Sequence, residues 1–176
     1  MNKKALCLVV IALGSTLALS GCGASPEQES GISLADTKAV VQLMRNDLTG
    51  KVSDEVTKEV TEVGDGSIGC GEDFNRKWYS TALIELLPES SSEVDVIAQS
   101  IQDSFVAKGW GSGAESGGAG TTLYSLTSPD AQSTIDLKTT EQAASGKDGA
   151  TIYVEVNGPC VLTDGPGSDE LAQLAA

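Results

Sequence analysis

The 176-residue chain carries 25 acidic against 11 basic residues, a formal net charge of −14, and contains no histidine. Such acidity disfavours nucleic acid, which is bound by basic patches, and equally a charge-driven contact with anionic lipid. The missing imidazole removes Ser-His-Asp and Cys-His catalysis and most zinc sites, and an aromatic content of 4% leaves little from which to build a stacking platform for sugars or bases.

The first element in chain order is a leader. Lys3 and Lys4 precede an uncharged, apolar or small-residue run from Ala5 to Leu19. That run falls short of the roughly 20 apolar residues a membrane span needs, and a charged start, a short apolar stretch and small residues form the layout of a signal peptide over residues 1–21. Loss of Lys3 and Lys4 makes the mature chain more acidic still.

Leu19-Ser20-Gly21-Cys22 resembles the lipobox of bacterial lipoproteins. The resemblance implies a diacylglycerol group in thioether linkage on Cys22, cleavage before that residue, and partnership with the membrane through the lipid alone. Small side chains admit the extended backbone to the peptidase, and the thiol is the lipid acceptor. Two acyl chains suffice for stable anchoring where one does not, at about 0.8 kcal/mol per buried methylene. The competing reading is an ordinary secretory signal that leaves a soluble protein.

Residues 22–33 read as the lipidated cysteine and a tether of small, polar and proline residues. A helix is expected over 34–48, started by Ser33 and Asp36, with Val40, Val41, Met44 and Leu48 at helical spacing and Gly50 as the stop. Residues 55–63 are rich in valine and threonine, which favours a strand, although Val52, Val56, Val60 and Val63 also fit a helix. Gly64-Asp65-Gly66 then marks a turn, and Cys70 falls in a small polar loop. Residues 77–87 form the best strand of the first half, with Trp78, Ala82, Ile84 and Leu86 on one face and Pro88 as terminator.

The second helix opens on a capping-box pattern, Ser90 with Glu93. Val94, Ile97, Ala98, Ile101 and Phe105 make its apolar stripe, Gly109 is its left-handed cap, and Trp110 should fold back onto the core. Residues 111–120, nearly all Gly, Ser and Ala, are expected to be a flexible loop. Strands follow at about 121–127, 132–139 and 150–157, with links short enough for antiparallel hairpins. Residues 163–176 read as a loose acidic tail. The expectation is a single α+β domain over 34–162, in the order α-β-β-α-β-β-β. It is a twisted antiparallel sheet of about five strands with both helices on one face.

Cys7 departs with the leader and Cys22 takes the lipid, so Cys70 and Cys160 remain. In an exported protein an isolated pair reads as a disulfide, and closing a loop of this length supplies on the order of 4–5 kcal/mol in the chain-entropy model. The cysteine before the long strand, Gly109-Trp110 after the second helix and Gly158-Pro159-Cys160-Val161 after the last strand resemble small surface lipoproteins of high-GC Gram-positive bacteria. That family has no settled activity. The resemblance implies the same disulfide and a core role for Trp110, and it implies no catalytic residue.

Few residues suggest chemistry. Asp65, Glu72 and Asp73 are acids near Cys70, but they lack the spacing of an EF-hand. The glycine run 109–120 lacks the Gly-Lys-Ser/Thr of a phosphate loop and contains Glu115, which repels phosphate. Asp54-Glu55 and Asp169-Glu170 read as solvated charges. Tyr79 and Tyr153 are placed by alternation on the sheet face opposite Ile84 and Ile152. There they form either a shallow recognition surface or ordinary cross-strand packing. The functional expectation is a membrane-anchored, non-enzymatic domain, without cofactor or metal, that meets an envelope protein or small ligand. The alternatives are a carboxylate-dependent envelope hydrolase, with Glu72, Asp73 and Glu85 as its acids, and a small solute-capturing lipoprotein.

Overall fold

The computed structural model describes residues 32–71, 74–141, 149–165 and 174. The leader, Cys22, the tether before Ile32, Glu72, Asp73, most of the 145–149 link, and Asp169 and Glu170 of the tail lie outside the described residues.

The first helix, α1, spans Leu34–Thr49. Ser33 and Asp36 form a reciprocal capping box: the Ser33 hydroxyl accepts from the Asp36 amide at 3.1 Å, and the Asp36 carboxylate accepts from the Ser33 amide at 3.1 Å. Leu34, Val41 and Leu48 are fully buried, whereas Val40 is exposed. The apolar stripe is therefore narrower than the sequence spacing suggests.

Seven strands form one antiparallel sheet: β1 Thr57–Gly69, β2 Asn75–Leu86, β3 Gly111–Gly118, β4 Thr121–Thr127, β5 Thr134–Thr140, β6 Thr151–Asn157 and β7 Val161–Leu162. The spatial order is β1-β2-β6-β5-β4-β3, and β7 pairs with the start of β2. The expectation of about five strands is thus corrected to seven, in the order α1-β1-β2-α2-β3-β4-β5-β6-β7.

The two additional strands escape the sequence pattern for different reasons. β3 is the glycine-rich run expected to be a loop, and every residue in it is exposed. It sits at the sheet edge, so it needs no apolar alternation. Backbone pairing to β4 holds it, aided by the Gln102 side-chain amide of the second helix donating to the Gly113 carbonyl at 2.9 Å. The reversal into β4 uses three consecutive left-handed residues, Gly118, Ala119 and Gly120. β7 is two residues long, below the length at which alternation can be read.

Residues 55–63 do contribute a strand, but the expected turn at Gly64-Asp65-Gly66 is overturned. β1 runs straight through it to Gly69, with a register shift between Glu62 and Gly64. The glycines serve packing there: a Cβ at Gly66 would lie 3.4 Å from the Tyr79 ring, and one at Gly64 would lie 3.6 Å from it. The ring of β2 thus lies against bare backbone of the edge strand.

The second helix, α2, spans Val94–Val106 and begins later than expected, after a 3-10 turn over Pro88–Glu93. The Ser90–Glu93 capping box does not form: the helix has no side-chain cap, and Ser90 is buried. Pro88 at the start of the 3-10 turn sets its conformation. Gly109 adopts φ +90°, as a left-handed cap requires. Trp110 folds back, its amide donating to the Phe105 carbonyl at 3.2 Å and its ring meeting Phe105 edge-on at 5.2 Å.

Both helices lie on one face. α1 packs on β2 and β6, and α2 packs chiefly on β4 and β5. Their buried side chains join Ile84, Leu86, Leu126, Ile135, Leu137, Ile152, Val154 and Val156 in one continuous core. The close approach of α1 depends on Gly158, where a Cβ would stand 2.4 Å from Thr37 Cγ2 and 2.8 Å from Val41 Cγ2. Cys70 and Cys160 are disulfide-bonded, with Cα atoms 5.9 Å apart. The bond ties the loop between β1 and β2 to the segment between β6 and β7.

Candidate functional site

Strand pairing fixes which side chains share the face away from the helices. On β2 the alternation places Trp78, Ser80, Ala82, Ile84 and Leu86 toward the core, and on β6 it does the same for Ile152, Val154 and Val156. Tyr79, Thr81, Leu83 and Glu85, with Thr151, Tyr153, Glu155 and Asn157, therefore line the other face. Among the described residues no helix packs against it.

Tyr79 and Tyr153 both occupy this face, as alternation requires, but they are not neighbours. Tyr79 pairs with Asn157, and Tyr153 pairs with Leu83 and Lys138. Four residues of β6 separate the two rows, roughly 13 Å at the usual strand rise. Tyr79 is further committed by its ring lying against Gly64 and Gly66.

Between the tyrosines lies a polar row that the linear sequence does not reveal. Thr81, Glu155, Asp136 and Ser125 face one another across β2, β6, β5 and β4. Glu155 and Asp136 are direct cross-strand partners, an arrangement that costs stability when both are charged. Each has a donor: Ser125 Oγ gives a hydrogen bond to Asp136 at 2.7 Å, and the Asn157 amide gives one to Glu155 at 3.0 Å. Strand assignments at 132–139 and 150–157 placed both acids on strands. Only the register brings them side by side.

Other candidate residues lie apart. Glu85 is ion-paired with Lys58 at 2.8 Å near the far end of the sheet. Asp65 points the opposite way, toward α1, where its carboxylate accepts from the Trp78 indole N–H and the Gln42 side-chain amide. It is thus an internal anchor, separate from any surface acid cluster. Tyr124 is buried on the core side, where burial first and the neighbouring Asp95 carboxylate second hold its phenol above the usual value near 10. Asp95 also accepts from Thr139 Oγ1 at 2.7 Å.

The helix side carries a groove of about 510 Å³ between α2 and the turn following α1. Val52, Val56, Val96, Ile97, Ser100 and Ile101 are among its lining residues. Among the described residues, no three of His, Cys, Asp or Glu are grouped as metal ligands, and no helix is long and apolar enough to cross a membrane. No family model, curated protein or solved structure matches the chain.

Proposed function

We propose that this chain is an extracytoplasmic lipoprotein, anchored by lipid on Cys22, whose folded domain engages an envelope partner through the uncovered face of its sheet. The supporting observation is the asymmetry of the sheet. Both helices cover one face, while the other carries Tyr153, Leu83, Glu155 and Asp136, all half-buried, across adjacent strands. Antiparallel sheets tolerate a solvated face, so asymmetry alone does not require a partner. The aromatic ring of Tyr153 with Leu83 supplies apolar area of the kind interfaces are enriched in, and the neighbouring carboxylates add directional acceptors.

Two measurements test the two halves. Intact mass of the protein extracted from membranes should correspond to a chain beginning at Cys22 and carrying a diacylglyceryl group, and Cys22→Ala should release the protein from the membrane fraction. An unmodified mass would refute the anchor. A photo-crosslinking residue placed at Tyr153 or Leu83 should give discrete adducts in intact cells, while the same residue at Leu43, exposed on α1, should not. Equal labelling at all three positions would remove the sheet face as the site.

A further inference from the structure

We infer that the end of the domain carrying the disulfide rests on the bilayer surface, an inference that depends on the lipid-anchor reading above. Three independent features place that end. α1 runs alongside β2 in the same direction: a Cβ at Gly158 would meet Thr37, and Lys38 stacks over Trp78, while further along α1 Arg45 pairs with Glu62, which lies opposite Ala82. The start of α1 therefore lies at the start of β2. The disulfide and β7 lie there too, because Asn75 pairs with Leu162 and the Cys70 amide donates to the Asn75 carbonyl at 3.0 Å.

Large apolar side chains are exposed at this same end. Ile32 is 52% exposed, Phe74 47%, Leu162 52% and Ile68 40%. Phe74 and Leu162 are held together, since the Thr163 amide and hydroxyl both donate to the Phe74 carbonyl, at 3.0 and 2.8 Å. Ile68 stands opposite Lys77, next to the same strand end. An exposed leucine or isoleucine singly needs no explanation, but Phe74 and Leu162 are held side by side at the end where the chain enters α1.

The occupant follows from where the chain enters. Only residues 23–31 separate Cys22 from Ile32, and at 3.3–3.6 Å per residue the ten steps between them span roughly 36 Å at most. A chain held at Cys22 by two acyl chains thus presents its α1-start end to the membrane. Any span of those residues shorter than this maximum brings that end toward the headgroup region. Apolar side chains on a tethered body then partition into the interface without having to supply the anchoring themselves. The contact is apolar and not electrostatic, in keeping with an acidic chain, so it should persist at high salt.

The test uses the full lipidated protein in phosphatidylcholine vesicles. Phe74→Trp and, as a control on the far side of α2, Val96→Trp each add one indole to the background of Trp78 and Trp110. With acyl-chain-brominated phosphatidylcholine, the added emission of the Phe74→Trp protein should fall at least twofold and shift to the blue at both low and high salt, and that of the Val96→Trp protein should not change. Equal emission from both variants in vesicles that carry the protein overturns the inference and leaves the anchor intact. Failure of the protein to float with vesicles overturns both. A blue-shifted Phe74→Trp emission in the non-lipidated Cys22→Ala chain, free of vesicles, shows that a segment of this chain covers the patch and also overturns the inference.

Discussion

The indole N–H of Trp78 donates to the carboxylate of Asp65 on the neighbouring strand, on the face toward α1. On the opposite face of the same two strands, the Tyr79 ring lies against Gly64 and Gly66. One three-residue segment, Gly64-Asp65-Gly66, thus serves both faces of an edge strand. The acid fixes the tryptophan and Gln42 of α1, and the glycines leave room for the tyrosine.

Removing that acid should loosen both α1 and β1. Asp65→Ala leaves a buried indole N–H and the Gln42 amide without their acceptor, at a cost of about 1–3 kcal/mol. Trp78→Phe loses only the donor and its share of packing. Urea unfolding of the two single variants and the double variant should show a coupling of about 1 kcal/mol. Strict additivity would mean that the bond contributes nothing to stability.

Three glycine substitutions should rank by what their Cβ meets. At Gly149 a Cβ would stand 1.9 Å from the Leu86 carbonyl oxygen, so Gly149→Ala must displace backbone and should cost about 3 kcal/mol or more. Gly158→Ala meets the side chains of Thr37 and Val41, which can move in part, and should cost about 1–3 kcal/mol. Gly113 on exposed β3 has nothing within 4 Å of its Cβ position. Gly113→Ala should be neutral or stabilising by about 0.5 kcal/mol, since it relieves the entropy cost of a strand glycine. Thermal unfolding of the three variants checks the order.

Opening the disulfide should lower stability by about 2–5 kcal/mol. The paired Cys70→Ala, Cys160→Ala chain should retain its far-ultraviolet circular dichroism at low temperature, because one continuous core joins both helices to the sheet. Its denaturant midpoint should fall and its slope should rise, because the unfolded chain without the crosslink exposes more surface. An unchanged midpoint would contradict a constraining role for the bond.

Tyr124 gives a signed pH dependence. Burial, followed by the Asp95 carboxylate, raises its folded-state pKa above the unfolded value near 10. Between those two values the native state holds a proton that the unfolded chain releases, so stability falls as pH rises through that window. The contribution is fully present below pH 10. Tyr124→Phe should flatten this alkaline decline in stability measured from about pH 9 upward, and Asp95→Asn should reduce it in part. An identical decline in the Tyr124→Phe protein would assign it to other groups.

The candidate face shows how far local pattern reaches. Alternation places Tyr79 and Tyr153 on one side of the sheet because side-chain direction in a strand has a period of two. It carries no information about register. The separation of the two rings, the pairing of Glu155 with Asp136, and the seating of Tyr79 over glycines of β1 all depend on how strands distant in sequence align.

By itself the sequence determined the elements whose cause is local. Ser33 and Asp36 start α1 because the capping groups lie three residues apart, Gly109 ends the α2 segment because only glycine adopts its left-handed backbone freely, and β4, β5 and β6 follow from alternation. The tertiary structure alone decided β3, β7 and the passage of β1 through Gly64-Asp65-Gly66. The stability of those segments resides in backbone bonds to a neighbouring strand, which are not written in the segment that receives them. The same holds for the gathering of Ile32, Phe74 and Leu162 at one end of the molecule: pairing of β7 with β2 joins the last two, and the parallel course of α1 and β2 brings Ile32 to that end.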